Sequence, residues 1–366
     1  MKTILHQKYI TEAVDIKNIK DFNGITSWQS PSNIAIVKYW GKHDNQLPNN
    51  PSISLTLSIA HTETSIQYTT KNNLGISLDF YFDGKSEPDF GKKIERYLIK
   101  NLAFFPFLNQ LHLRIESKNT FPHSSGIASS ASSMSALVMC LLTIESNIVT
   151  GKRSEDEYLQ KASFFSRLAS GSAARSVFPY ASLWGESGSI AGSNNEFAIP
   201  LENEIHPLFK TYHDSILIIS AKTKSVSSRS GHSLMENNPY AKARYSEAEK
   251  NTVSLFHAMK KGDLESFIQI AESEALQLHA LMMTSSPSFI LIQPNTLATI
   301  QIVRDFRKNT GIPLCFTLDA GPNLHLLYPD AYRNQVEQFI QENLLEFCQS
   351  NQWISDRVGN GPSQLV

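Results

Sequence analysis

An aspartate set between a strand and a turn that cannot continue it is placed to do chemistry, and Thr317-Leu318-Asp319-Ala320-Gly321-Pro322-Asn323 has that order. The apolar run 314–318 reads as a buried strand and Gly321-Pro322 as its stop, so the Asp319 carboxylate is held by a rigid element yet open to a substrate. The weight of this motif comes from other segments that supply what such a carboxylate needs. Lys38-Tyr39-Trp40-Gly41-Lys42 brackets a glycine with two ammonium groups and a phenol. That set suits a polyphosphate, and equally a strand-end aromatic pair whose lysines reach outward to water.

Phe121 to Ser130, with Gly126, Ser129 and Ser130, precedes a helix-spaced apolar run, so its amides and hydroxyls converge on a helix N-terminus. It reads as an anion cradle or as a plain serine cap. It is not the G-x-x-x-x-G-K-[ST] loop, having one glycine and no lysine. Ser170-Gly171-Ser172-Ala173-Ala174-Arg175-Ser176 joins hydroxyls to a guanidinium, which fits bidentate capture of a carboxylate or phosphate, or else a helix C-cap followed by a surface arginine. Lys222 to Arg229 again stacks cations with hydroxyls, in a loop after a strand.

Other chemistries lack their residues. The histidines are scattered without metal-ligand spacing, so no metal-binding side chains are assigned, and His279 and His325 are read as packing or hydrogen-bonding groups. No G-x-S-x-G elbow accompanies the serines. Cys140, Cys315 and Cys348 sit in apolar contexts without CxxC spacing, which argues against zinc and disulfides and for a reducing compartment.

The 366 residues, 41% hydrophobic and 18% charged, are enough for two packed domains. A net charge of -1 gives no basic surface for nucleic acid or an anionic membrane, so any anion site must be built locally. No apolar run reaches spanning length, and the first 21 residues hold no signal-peptide core.

Periodicity predicts strands over 33–37, 52–59, 63–68, 111–116, 215–221, 314–318 and 323–328. It predicts helices over 94–101, 130–145, 155–169, 241–260, 264–283, 296–307 and 331–347, with a domain boundary near Pro200 and Pro207.

Taken in order, Ser32-Asn33-Ile34-Ala35 through Lys42, Pro122 to Ser132, Ser170 to Ser176, Val226 to Gly231 and Asp319 to Asn323 closely resemble the diphosphomevalonate decarboxylase family. That family belongs to the galactokinase, homoserine kinase, mevalonate kinase and phosphomevalonate kinase superfamily. The resemblance implies an α+β, two-domain small-molecule kinase fold. A ribosomal-protein-S5-like α/β domain would span 1–208, with the ATP phosphate loop and an N-terminal extension, and a ferredoxin-like α/β sandwich with the catalytic Asp would span 209–366.

It also implies ATP-dependent decarboxylation of mevalonate 5-diphosphate to isopentenyl diphosphate through phosphorylation of the 3-hydroxyl, in the mevalonate pathway of isoprenoid biosynthesis. The cofactors implied are ATP and Mg2+, and the setting a cytoplasmic homodimer without nucleic-acid or membrane partners. By the same resemblance Asp319 orients or deprotonates the hydroxyl, Lys38 neutralises charge at the transferred phosphoryl group, and Arg175 grips the substrate carboxylate beside Asn33. Ser170 and Ser172 line that site, Tyr39, Lys42, Ser228 and Arg229 hold the diphosphate, and Gly126, Ser129 and Ser130 form the ATP phosphate loop.

Sister activities share that loop: a phosphomevalonate decarboxylase, or a mevalonate 3-kinase-like enzyme that stops after phosphorylation. The joint presence of Asp319, Lys38 and Arg175 argues against the latter, and a non-catalytic sensor would lack Asp319 or the loop serines. Departures from the family pattern are His123-Ser124-Ser125, Ala174, Pro51, and His232 where Met is usual.

Overall fold

The computed structural model describes residues 4–15, 21–122, 127, 129–149, 153–222, 226 and 228–366, with only the backbone at 228 and 229. Its helices are α1 (Ile4–Thr11), α2 (Pro88–Lys100), α3 (Ser129–Ser146), α4 (Glu155–Ala169), α5 (Ser228–Ser233), α6 (Ala241–Lys261), α7 (Leu264–Met283), α8 (Pro294–Thr310) and α9 (Arg333–Asn343). The strands of the first half are β1 (Gly24–Ala35), β2 (Lys42–His43), β3 (Leu47–Pro48), β4 (Ser52–Thr70), β5 (Ser77–Phe82), β6 (Lys85–Ser86), β7 (Leu111–Asn119), β8 (Ala181–Trp184) and β9 (Ala198–Pro200). Those that follow are β10 (His213–Leu217), β11 (Cys315–Thr317), β12 (Leu324–Tyr328), β13 (Trp353–Arg357) and β14 (Ser363–Gln364).

One sheet runs β14-β1-β4-β7-β5-β6, with β8 and β9 branching from β4, and a second runs β11-β12-β10-β13. On β7, Leu111, Leu113 and Ile115 face in while Arg114, Glu116 and Lys118 face out, the alternation of a half-buried strand. Helix α3 is apolar nearly all round because β1, β4 and α4 all pack on it. Helix α4 starts at a capping box, Ser154 accepting from the Glu157 amide at 3.3 Å, with Glu155, Asp156 and Glu157 at the positive end of the helix.

The expected boundaries of α4 and α7 match, while several others differ for identifiable reasons. The strand expected over 33–37 is the tail of β1, whose first half is only partly buried and so carries a weak apolar signal. The runs 52–59 and 63–68 are one strand, β4, continuous through a bulge. The strand expected over 215–221 is β10, beginning at His213 and Asp214, whose polar side chains are tolerated in the interior because Asp330 and His325 hydrogen-bond with them. The helix expected over 331–347 stops at Asn343 and continues as a 3-10 turn.

The bulge ties the two sheets together. Pairing of β1 with β4 slips between Pro31 and Asn33, leaving the amides of Ser58, Ile59 and Ala60 outside the ladder. Asp356 of β13 accepts all three, at 3.0, 2.7 and 2.7 Å. Burial pushes this carboxyl up while the amides pull it down. Beyond it the chain returns to the first sheet, where β14 pairs with β1.

The N-terminal helix α1 covers a buried ion pair. Tyr9 packs on Phe164 and Phe165 of α4, with the Lys161 ammonium 5.4 Å from its ring centre. Lys161 Nζ reaches both oxygens of Glu145 at 2.8 Å, and Arg153 joins at 2.9 Å. Burial lowers the Lys161 pKa and Glu145 raises it. Glu145→Gln leaves this ammonium beside a neutral amide. The unfolding free energy should fall by about 3 to 5 kcal/mol, the cost of breaking a buried pair, read from the urea midpoint. Lys161→Met should cost less, because Glu145 keeps Arg153.

Candidate active site

Beyond Ala35 the chain leaves the sheet and carries Lys38 into the interior, 1% exposed. Its backbone is gripped on both sides: the amide donates to Glu274 Oε2 at 2.8 Å, while Asn50 and Arg244 donate to its carbonyl at 3.1 and 3.4 Å. Glu274 and Arg244 form a buried two-pronged pair between α7 and α6, and Asn251 donates to the same carboxylate at 2.6 Å. The Lys38 ammonium donates to the Ala35 carbonyl and, at 3.0 Å, to Asp319 Oδ1. Burial pulls its pKa below the ordinary lysine value, and Asp319 and then Glu274 pull it back up.

Asp319 lies two residues beyond β11, its side chain 26% exposed to the cleft, with its carbonyl 3.1 Å from His279 Nε2. The expected strand-to-turn placement therefore holds, and His279 is a hydrogen-bonding group.

Arg175 ends the 3-10 turn Gly171–Arg175 that follows α4. It is 2% exposed, so the surface-arginine alternative is excluded. Its Nε donates to Asn33 Oδ1 at 3.2 Å and Nη1 to the Ser52 hydroxyl. Asn33 Nδ2 donates to the Ser172 carbonyl at 3.2 Å and to Ser176 Oγ at 2.7 Å, which fixes its amide and hence the guanidinium. Burial lowers the Arg175 pKa to about 10, with Asp319 opposing, so the group stays charged at neutral pH.

Gly41 turns the chain with φ +94°, and an added Cβ would fall 2.1 Å from the Tyr245 hydroxyl, so only glycine fits. The turn feeds the β2–β3 hairpin, where Lys42 Nζ lies 2.6 Å from Gln46 Oε1. Tyr39 stacks between Trp184 and His232, its ring centre 4.8 and 4.5 Å from theirs. Ser129 and Ser130 open α3, and Ser130 Oγ is 3.3 Å from Ser170 Oγ.

The cleft these elements enclose has a volume of about 690 Å³. It gathers Asn33, Lys38, Tyr39, Lys42, Ser129, Ser130, Ser170, Ser172, Arg175 and Asp319. Gly126 and the side chains of Ser228 and Arg229 lie outside the described residues, although the backbone of the last two opens α5. Lys38, Lys42, Lys93 and Arg175 face the cleft against one carboxylate among its described residues, that of Asp319. Here is the local anion site that net charge required.

Sequence reasoning missed two parts. The cleft has an apolar lobe from β5, α2, β7 and α3, lined by Phe80, Phe82, Phe90, Ile94, Ile115, Met134 and Leu137, with Lys93 over the Phe90 ring at 4.7 Å. Only tertiary packing assembles it. The Glu274 clamp did leave a signal: this acid lies four residues from both Ile270 and Leu278, on the apolar stripe of α7.

Comparisons with known proteins supply the family and the fold. A diphosphomevalonate decarboxylase-like N-terminal domain matches residues 30–195, and a mevalonate 5-diphosphate decarboxylase C-terminal domain matches residues 215–363. The diphosphomevalonate decarboxylase of Aspergillus fumigatus is 28% identical over 320 residues, 82% of this chain and 75% of its own. Mevalonate diphosphate decarboxylase from Staphylococcus aureus superposes with a TM-score of 0.80 at 26% identity, over 94% of this chain and 99% of that one. A structure of MDDEF in complex with MVAPP, AMPPCP and magnesium gives 0.77 at 26% identity, over 94% and 99%. The two domain matches succeed one another along the chain and the two-domain fold is shared, so this chain belongs to the diphosphomevalonate decarboxylase family.

Proposed function

We propose that the chain converts mevalonate 5-diphosphate and ATP to isopentenyl diphosphate, carbon dioxide, phosphate and ADP, phosphorylating the 3-hydroxyl before the carboxylate leaves. The observation that carries this reading is the cleft itself, where Lys42, Lys93 and Arg175 join the Lys38–Asp319 contact. Phosphoryl transfer needs little covalent help from a protein, so positioning and charge stabilisation do most of it. Asp319 receives or orients the hydroxyl proton. A tertiary alcohol is a weak acid, so placement counts as much as basicity. Lys38 offsets charge on the moving phosphoryl group, and Arg175, aimed by Asn33, holds the carboxylate in line while Ser170 and Ser172 close the site around it.

Tyr39 and Lys42, with Ser228 and Arg229 on α5, take the diphosphate, and Ser129, Ser130 and Gly126 take the phosphates of ATP. The apolar lobe is assigned to the base. Among the described residues no cluster of His, Cys, Asp or Glu would hold a resident metal ion. Oxygen donors are present in Asp319 and the Ser129 and Ser130 hydroxyls, which fits magnesium arriving as part of its ATP complex and held largely by phosphate oxygens. There it would neutralise charge between phosphates. The same reading divides the chain at 208 and 209. It makes the enzyme a cytoplasmic homodimer, the compartment supported by the free, buried Cys140, Cys315 and Cys348.

Purified protein given ATP, magnesium and either mevalonate 5-phosphate or 5-diphosphate should release ADP and carbon dioxide in equal amounts with the diphosphate. ADP alone would mark a kinase, and preference for the monophosphate the sister decarboxylase. Asp319→Asn should abolish both products while substrate affinity stays within about tenfold, since shape is kept and charge lost. Arg175→Lys keeps the charge and loses the planar fork, so carbon dioxide release should slow at saturating substrate. Equal saturated rates would reduce Arg175 to generic electrostatics.

Glu274→Gln tests the clamp. Removing this negative charge lowers the Lys38 pKa further, so ammonium is lost at a lower pH and the alkaline limb of kcat should move down. Asp319, Arg175 and Arg244 also act on Lys38 and are unchanged in the variant. A fallen kcat with an unmoved limb would leave Glu274 a packing role only.

A further inference from the structure

His232 has no part in the roles above. Helix α5 brings its ring to the wall of the cleft, 8% exposed. The approach is close: a Cβ on Gly231 would stand 2.4 Å from the Trp40 ring, so α5 seats there only with glycine at that position. The imidazole is then wedged between Tyr39 and Trp40, with ring centres 4.5 Å away on either side.

Its tautomer is set by the backbone. The Gly41 amide donates to Nδ1 at 2.9 Å, which makes Nδ1 the acceptor. Burial and then the Lys42 ammonium hold the ring pKa down to about 3, so the imidazole is neutral and its proton sits on Nε2. Nε2 has no hydrogen-bond partner among the described residues, yet it is not one of the sealed, unpartnered polar atoms of the core. The ring itself lines the cleft. An oriented N–H on a ring that packs on Tyr39 and feels the Lys42 ammonium suits an anion bound beside those two residues.

We propose that His232 is a specificity-determining residue whose Nε2–H donates to a phosphoryl oxygen of the substrate diphosphate. The assignment rests on the functional reading above. It uses a neutral donor where two further cations would repel one another, and the packing on Tyr39 and Trp40 orients it in advance, so little freedom is lost on binding.

The test compares wild type, His232→Met and His232→Gln in steady-state kinetics with mevalonate 5-diphosphate, and with inorganic pyrophosphate as a competitive inhibitor. Methionine fills the wedge without a donor, whereas glutamine restores an N–H. The Met variant should raise KM for the diphosphate and Ki for pyrophosphate about tenfold, the loss of one hydrogen bond to a charged acceptor, while kcat stays within about threefold. The Gln variant should recover most of the loss. Equal KM and Ki for Met and wild type overturn the proposal. So does a Gln variant as impaired as Met at an unchanged Tm, which would make the ring an aromatic wedge only. If wild type releases neither ADP nor carbon dioxide, the functional reading fails instead, and the pyrophosphate affinities of the three proteins, measured by calorimetry, still decide the role of His232.

Discussion

The contact between Lys38 Nζ and Asp319 Oδ1, 3.0 Å across a separation of 281 residues, is the constraint around which the structure is arranged. A fully buried ammonium is costly unless a counter-charge and acceptors meet it. Asp319 and the Ala35 carbonyl do so, and they come from opposite halves of the chain. Other cross-connections serve the same alignment. Glu274 and Arg244 hold the peptide of Lys38, Asp356 holds the bulge of β4 opposite the end of β1, and β14 returns to the edge of β1. Separating the halves would leave charged groups without partners at several points together, so the site and the junction between the sheets form one structure.

A near-neutral protein becomes an anion receptor by concentrating cations from distant elements. Lys38 and Lys42 come from the segment after β1, Lys93 from α2 and Arg175 from the turn after α4. Two of them are oriented by neutral partners: Asn33 and Ser52 for Arg175, Gln46 for Lys42. Neutral partners orient a cation without cancelling it. The excess of cations over the one carboxylate among the described lining residues then favours an incoming polyanion, and a low-dielectric cleft makes it count for more than it would in water.

How much could be read beforehand depended on where the information sits. The ten motif residues that meet in the cleft lie at element ends, where glycine, serine and lysine stand out against apolar runs. Helix α4 was legible to its boundaries because Ser154 and Glu157 cap it, and α7 because Asp263 does the same above a regular apolar stripe. The first half of β1 was not, since its pairing with the bulged β4 and with β14 comes from residues far along the chain. The apolar lobe and Arg244 were illegible for a similar reason: Phe80, Phe90 and Met134 read as ordinary core, and Arg244 as the polar face of α6, until tertiary contact gives them a neighbour. Glu274 broke a local rule, an acid on a buried stripe, as Glu272 and Glu145 do on α7 and α3, and in each case a paired cation explains the exception.

The two ends of the cleft divide the work differently. On the proposed reading Lys38 and Arg175 are charged and buried at the reacting end, where alignment with the transferred phosphoryl group and the departing carboxylate tolerates little displacement. At the other end the chain relies on the Gly41 turn, the ring packing and α5, where Tyr39, Lys42 and His232 line the cleft. Contacts to a group that does not change during the reaction strengthen ground state and transition state alike, so they govern which substrate enters and how tightly. On the proposed reading the same contacts would also hold the reactive carbon in register with Asp319, which makes recognition at one end a condition for chemistry at the other.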